Sequence, residues 1–379
     1  MNALVREARF RLGDPVPQFS GPTSLRHEVQ LQAMAGRYVV LALLGPLGLA
    51  QTQPWLEELR ILGETLDPEK YLVSCVITGA VDYNVFERLG KLLVFIDGDS
   101  KISRLYGAEE FVQDSGQLAY WPQCLILGPN LHILNILPCA ANGSLSAAIM
   151  QVVSQLPEPS WHAGHSCPAP VLIVPQVFEA ELCRYLVAAF DEAKASDSGF
   201  MIERGGKTTS EINYGVKRRM DVSLDDPSLC GFIRRNVASR LVPEIDKAFQ
   251  FHATRMDRYI VARYDAATGG YFRPHRDNVS SGTAHRRFAL TVNLNPNDYE
   301  GGDLRFPEFS DLSYRSSEGA AIAFSCSLLH EVAPITRGKR FAFLAFLYGE
   351  EDARLREENN RHLGANEYRY VAGPDRLFV

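Results

Sequence analysis

The sequence predicts a two-domain protein, an α/β domain followed by a jelly-roll β domain with flanking helices. Three observations carry that expectation. At 379 residues the chain is longer than one ordinary domain and fits two. Residues 1–160 alternate apolar strand runs with helical stripes, the mark of strands joined by right-handed crossovers. Residues 171–350 place two helical patterns before many short runs divided by Gly, Pro, Asn and Asp. Between them, PEPSWHAGHSCPAP (157–170) carries four prolines and breaks every periodicity, which puts a linker at 161–170; residues 351–379 read as a helical then irregular tail, rich in charge.

Tyr38–Leu44 is a continuous apolar run and reads as a buried strand. Pro54–Leu66 sets Trp55, Leu59, Leu62 and Leu66 on one helical stripe, with Pro54 in the first turn, where its missing N–H is tolerated. Tyr71–Ile77 and Lys91–Ile96 give two more strands, with a short helix at Tyr83–Leu89 and a turn at Asp97-Gly98-Asp99. Ser100–Tyr106 is a helical turn, and Gln123–Leu127 and His132–Leu137 are strands. Ser144 is placed to cap a last helix carrying Leu145, Ile149, Val152, Val153 and Leu156.

In the second half Phe178–Ala193 and Leu229–Phe249 have helical patterns, the latter interrupted at Pro243. Strands are expected at Arg255–Tyr264, Arg286–Asn295, Leu304–Phe306, Ala320–Phe324 and Phe341–Tyr348. The last is apolar on both faces and so must be central. In RRFALTVNLN, Phe288, Leu290, Val292 and Leu294 share one face while Ala289, Thr291, Asn293 and Asn295 share the other. A barrel strand of that kind turns small and polar groups inward.

Composition narrows the function classes. With 39 basic against 45 acidic residues, net −6, and no long run of either sign, non-specific nucleic-acid binding is not expected. The longest apolar run, Val39–Ala50, is broken by Gly45-Pro46 and is too short for a bilayer span. The opening MNALVREARFRLGD has no apolar core of a signal peptide. Seven cysteines, scattered and never spaced CxxC, argue against a disulfide framework or a Cys-ligated zinc site and for a reducing, cytoplasmic setting. His162, His165 and Cys167 sit together in the linker, but three ligands without a fourth in register do not make a zinc site.

LGDPVPQF (Leu12–Phe19), FIDGDSKISRLYG (Phe95–Gly107) and QCLILGPNLHIL (Gln123–Leu134) occur in the order found in peroxiredoxins, and residues 10–157 resemble that family. The resemblance implies a thioredoxin-like fold. Its chemistry does not carry over. A peroxidatic thiolate stands at the start of the first long helix, and the corresponding stretch, Pro46 to Pro54, contains no cysteine. A redox-inactive module for packing, substrate docking or dimerisation is expected, with a homodimer through this domain as one outcome.

The chemistry lies in RYDAATGGYFRPHRDN, Arg263 to Asn278. His275 and Asp277 are two apart, so on a strand both project to one face. His330 follows 53 residues after Asp277. Two histidines and a carboxylate on a β scaffold suit a facial triad for non-haem Fe(II), with coordination positions left open. Ten residues beyond His330, Arg340 stands at the mouth of FAFLAFLYG, where a guanidinium can fork onto a carboxylate held inside the barrel.

YDAATGGYFRPHRD, NPNDYEGGDLRF and HEVAPITRGKRFAF, with the upstream VLIVPQVFEAELC, resemble the prolyl 4-hydroxylase-like 2-oxoglutarate/Fe(II) dioxygenases over residues 171–350. The resemblance implies a double-stranded β-helix. It also implies iron held by His275, Asp277 and His330, and Arg340 paired with the distal carboxylate of 2-oxoglutarate, with Lys339 as the backup. Tyr264 matches a tyrosine lining the co-substrate pocket, and Asn293 falls where some relatives place a second tyrosine. O2 is then the oxidant and ascorbate a candidate reductant; 2-oxoglutarate leaves as succinate and CO2 while a C–H bond is hydroxylated. Retention of Asp277 favours hydroxylation over halogenation.

The substrate is then a prolyl residue, an amino acid or a peptide-like metabolite. Gly205–Arg219 and Asp277–His285 are expected as mobile lids over the barrel mouth. Arg218, Arg219 and Arg286 either meet an acidic group or are simply solvated, and solvation is the expectation. A thiol peroxidase or redox-binding protein, and a non-catalytic scaffold, are the competing readings; the cysteine-free turn speaks against the first and the complete triad with Arg340 against the second.

Overall fold

The computed structural model describes residues 9–25, 28–79, 83–90, 92–112, 117–140, 143–365, 369–370 and 376–378. The chain divides into two compact units: Met1–Pro168 with Pro307–Asp311, and Ala169–Phe306 with Leu312–Val379.

The first unit contains strands β1 (Ser20–Pro22), β2 (Glu28–Gln30), β3 (Tyr38–Pro46), β4 (Tyr71–Thr78), β5 (Leu93–Asp97), β6 (Glu109–Val112), β7 (Gln117–Tyr120), β8 (Gln123–Leu127) and β9 (Ile133–Pro138), with helices α1 (Thr52–Thr65), α2 (Lys101–Leu105) and α3 (Leu145–Val153). A mixed sheet in the order β5-β4-β3-β8-β9 forms its centre, parallel among β3, β4 and β5 and antiparallel at β8 and β9. This is the thioredoxin-like layer. The continuous apolar run of β3 follows from burial on both faces. One face packs Val40, Ala42, Cys75, Val94 and Ile126 against Trp55, Leu59 and Leu62 of α1 and Ile149 of α3. Ser144 caps α3 as expected, its Oγ accepting from the Ala147 N–H at 3.1 Å. Tyr83–Leu89 is a 3-10 turn, and the expected strand start at Lys91 lies outside the described residues.

The second unit contains β10 (Leu172–Val174), α4 (Ala180–Glu192), β11 (Ser196–Asp197), β12 (Phe200–Arg204), β13 (Lys207–Glu211), β14 (Lys217–Arg218), β15 (Met220–Ser223), α5 (Pro227–Asn236), α6 (Val242–Phe249), β16 (Arg255–Asp265), β17 (Tyr271–His275), β18 (Phe288–Asn293), β19 (Tyr299–Gly301), β20 (Leu304–Arg305), β21 (Ser313–Tyr314), β22 (Ala321–Ser325), β23 (His330–Val332), β24 (Ile335–Tyr348) and α7 (Glu350–Glu358). Its larger sheet runs β10-β22-β18-β24-β16-β15-β11 with β19 beside β24; a smaller one runs β14-β17-β23-β20-β21. Two antiparallel sheets of this kind form the double-stranded β-helix. The outer face of the larger sheet, including Val261, Leu290, Val292, Phe341, Phe343 and Leu347, packs under Leu186 and Phe190 of α4, Ile233 of α5 and Ile245 of α6. Each such side chain contributes about 1.5–3 kcal/mol by leaving water.

Two expectations are corrected here. The helix is not interrupted at Pro243: a π turn over Val237–Leu241, closed by the Val242 N–H to the Val237 carbonyl, brings Pro243 into the first turn of α6, where its missing N–H costs nothing. The strand expected at Phe341–Tyr348 begins at Ile335, because β19 pairs with its first half. As expected, the tail from 351 is helical at its start, within α7, and it belongs to the second unit. Among the described residues no helix is long and apolar enough to cross a membrane.

Candidate metal centre and its pocket

β17 and β23 run antiparallel with His275 opposite His330. Asp277 lies two residues beyond the end of β17, held by its N–H to the Cys326 carbonyl at 3.0 Å. The His275 Nε2 stands 3.7 Å from one Asp277 oxygen and the His330 Nε2 3.4 Å from the other. One ligand atom from each residue lies within 4.8 Å of the others, the one group of three His, Cys, Asp or Glu side chains so arranged among the described residues. Each imidazole has its Nδ1 beside a backbone carbonyl, Arg273 O at 2.8 Å and Leu328 O at 3.0 Å. Those carbonyls take the Nδ1 proton and leave both Nε2 lone pairs facing the gap. Burial, then the adjacent His330, holds His275 well below its ordinary pKa, so it stands neutral, as a ligand must. Phe272 stacks on His275, and Phe324 meets His330 edge-on at 4.7 Å, fixing both rings.

Arg340 is opposite Tyr264 in the β24–β16 register, its guanidinium 5.4 Å from the Tyr264 ring centre. The residue is only 6% exposed, and its Nε and Nη1 have no partner. It therefore lies within the sheet interior rather than at a strand mouth. Asn293 is buried too: its Nδ2 donates to Tyr299 Oη at 2.8 Å and to the Ser316 carbonyl at 3.1 Å, while its Oδ1 and the Thr291 Oγ1 stay unpartnered. A buried cation without a carboxylate is costly, and the two partnerless donor nitrogens of Arg340 describe a cradle for an anion. Iron and 2-oxoglutarate both fit these residues: open imidazole nitrogens with one carboxylate for the metal, and a buried guanidinium for the co-substrate. Lys339, the backup, is exposed, with only its carbonyl engaged, by Asn295 at 2.8 Å.

The expectation of solvated arginines holds only for Arg218. Arg219 is buried in a two-bonded ion pair with Asp221, 2.7 Å at each contact, and its Nη1 comes within 3.5 Å of Tyr264 Oη. Arg286 is 7% exposed and lies over the Phe346 ring. The lid expected at Gly205–Arg219 is largely hairpin: β12 and β13 pair through Gly205-Gly206, both at positive φ. Such a two-residue Gly-Gly turn is a hairpin signal present in the sequence. The second expected lid is tied to that hairpin by Ser281 N–H and Oγ to Glu203, and by Gly282 N–H to Thr208 Oγ1, each at 2.9 Å. Asp221 and a pocket role for Tyr299 escaped the sequence reading, and Arg219 was expected to be solvated, since only cross-strand register brings these residues together.

In the first unit the helix start after Pro46 offers no thiol. Cys75, Cys124 and Cys139 are buried, and burial pushes their thiols up, Cys139 to about 12. In the linker the Cys167 sulfur is 3.3 Å from His165 Nε2.

Residues 259–348 match the 2OG-Fe(II) oxygenase superfamily. Among curated proteins, the chain is 26% identical over 146 residues to a PKHD-type hydroxylase of Maricaulis maris, covering 38% of this chain and 64% of that protein, less than two thirds of its length. It is 28% identical over 171 residues to a PKHD-type hydroxylase of Paracoccus denitrificans, covering 42% and 70% of the two chains. Among solved structures, Xylella fastidiosa PrxQ aligns with 39% of this chain and 98% of its own at 10% identity, with a TM-score of 0.35. The family match runs from within β16, before the triad begins, to the end of β24, so the stretch that resembles the 2OG-Fe(II) oxygenase superfamily contains His275, Asp277, His330 and Arg340.

Proposed function

We propose that the second unit hydroxylates a C–H bond of an amino acid, a peptide-like metabolite or a prolyl residue in a peptide, using Fe(II), 2-oxoglutarate and O2. One oxygen atom enters the substrate and the other enters succinate, with CO2 released. The observation that carries this reading is the buried Arg340 guanidinium, two of whose N–H-bearing nitrogens lack a partner in the same unit as the His275–Asp277–His330 group.

Bound at that triad, Fe(II) supplies the redox chemistry that joins O2 to the decarboxylation. The chain's own work is orientation and electrostatics. His275 and His330 present Nε2 because the Arg273 and Leu328 carbonyls hold their Nδ1 protons. Arg340 fixes the far carboxylate of 2-oxoglutarate, so that the keto acid end points at the metal, and Tyr264 covers the guanidinium from the side. Phe272, Phe306 and Phe324 line the histidines and keep water from them.

The test is 2-oxoglutarate-dependent succinate formation by the purified chain with Fe(II) and ascorbate. Slow uncoupled turnover is expected, abolished in His275→Ala. Absence of turnover, together with no visible charge-transfer band on anaerobic mixing of Fe(II) and 2-oxoglutarate, overturns the reading.

A further inference from the structure

The reaction described above leaves the Arg219–Asp221 ion pair unused, yet that pair reaches the co-substrate pocket through Tyr264. On β24, Phe341 and Phe343 belong to the helix-covered core, so Arg340 faces the other way. On β16 the same alternation turns Val261 and Arg263 toward the helices, with Arg263 over the Phe190 ring of α4. Tyr264 is thereby turned inward, opposite Arg340. Met220 pairs with Arg263, so Arg219, one residue ahead of β15, falls beside Tyr264 on the inner face. Because β16 lies between β15 and β24, the Tyr264 ring has a guanidinium toward each neighbour: Arg340 at 5.4 Å and Arg219 at 5.9 Å from its centre.

The two cations differ in what they can still bind. Arg340 keeps two nitrogens without a partner. Every nitrogen of Arg219 is engaged: Nε and Nη2 each donate to Asp221 at 2.7 Å, Nη2 also to Ser198 Oγ at 3.1 Å, and Nη1 to Tyr264 Oη at 3.5 Å. The carboxylate is pinned in turn. Ser198 Oγ donates to Asp221 at 2.5 Å, and the buried Lys217 Nζ donates to Ser198 Oγ at 2.6 Å and to the Gly199 carbonyl at 2.8 Å. With side chains 10% and 12% exposed, the Arg219–Asp221 fork is fixed and its charge is cancelled locally, so it does not compete with Arg340 for an anion.

A guanidinium can only donate, so Tyr264 Oη is the acceptor in its contact with Arg219. The phenol proton is left over. Tyr264 is 2% exposed and donates no hydrogen bond among the described residues. A buried hydroxyl with an unspent proton, beside a buried guanidinium with two unspent nitrogens, is complementary to a carboxylate.

We propose that Arg219 is a positioning residue for 2-oxoglutarate. By donating to Tyr264 Oη it turns the phenol proton toward an oxygen of the co-substrate that Arg340 holds, and the chain of Asp221, Ser198 and Lys217 keeps that cation in place. The inference rests on the oxygenase reading and deepens it, adding a second donor to the co-substrate site and naming what aims it.

The test is titration calorimetry of 2-oxoglutarate into the full chain loaded with Zn(II), which has no redox chemistry of its own. Tyr264→Phe removes only the hydroxyl and is expected to weaken binding about tenfold. Arg219→Lys keeps a cation against Asp221 but lacks the fork that reaches Tyr264, and is expected to weaken binding about fivefold. The decisive expectation is that Arg219→Lys adds nothing further in the Tyr264→Phe background. A merely structural Arg219 would weaken binding by the same factor in both backgrounds, and that result overturns the proposal. Unchanged affinity in Tyr264→Phe overturns it too, whether or not Arg219→Lys folds. No binding of 2-oxoglutarate by the unaltered chain defeats the oxygenase reading and this inference together, whereas binding indifferent to both substitutions defeats this inference alone.

Discussion

At the scale of single residues, Arg340 shows a conflict between stability and binding. Its guanidinium is buried with two nitrogens unpartnered, a state that burdens the empty chain and that, on the proposed function, a carboxylate of 2-oxoglutarate would relieve. Arg340→Met keeps similar bulk and removes the charge. The expected outcome is a higher thermal midpoint in the absence of 2-oxoglutarate, with a co-substrate requirement raised thirty-fold or more, about 2 kcal/mol, in the succinate assay. An unchanged requirement would move the carboxylate contact elsewhere. His275, Asp277, His330, Arg340 and Tyr264 were legible because short motifs carry them. The buried settings of Arg219 and Arg286 were not, because their surroundings come from strands far apart in sequence: Asp221 reaches Ala262 across β15–β16, and Phe346 reaches Asp257 at a bulge. Composition around an isolated Arg cannot distinguish a solvated one from these.

At the scale of elements, the long periodic pieces could be read and their junctions could not. β3, β4, α1, α3, β16 and β18 lie within a few residues of their expected spans, since apolar periodicity marks them. Short strands such as β14, β21 and β23 have too few residues for any period to emerge, and partner strands alone define them. Caps are a case where local chemistry suffices. Asp226 accepts from the Leu229 N–H at 2.6 Å at the head of α5, and Ser144 does the same for α3. Asp226→Ala and Ser144→Ala are each expected to cost about 1 kcal/mol by denaturant titration, without effect on succinate formation. The π turn ahead of Pro243 is the opposite case: a local rule forecast a break, and an extra residue per turn absorbed it.

At the scale of the whole molecule, the cysteines give a direct test of the degenerate thioredoxin-like unit. Cys75, Cys124, Cys139, Cys183 and Cys326 are buried, whereas Cys167 and Cys230 are partly exposed. A thiol reagent is expected to titrate no more than those two in the native chain and all seven after denaturation. Rapid consumption of peroxide by a third thiol would revive a peroxidase reading. Association through the first unit remains a proposal: Phe111 and Leu118 are opposite one another on β6 and β7 with 58% and 47% exposure, an apolar pair open to a second copy. A solution mass of one chain rather than two rejects it.

The position of β24 has a consequence for synthesis. It pairs with β16 on one side and β18 on the other and carries Arg340, so the pocket cannot exist until Tyr348 has left the ribosome. The first unit, apart from Pro307–Asp311, is complete at Pro168. Translation at roughly 5–20 residues per second separates the two events by about ten seconds or more. During that interval the nascent chain offers His275 and Asp277 but lacks the strand that shapes their surroundings. Iron held by His275, Asp277 and His330 would therefore meet its full surroundings only once β24 is in place, and protein made without the metal is expected to be recovered as folded apoprotein.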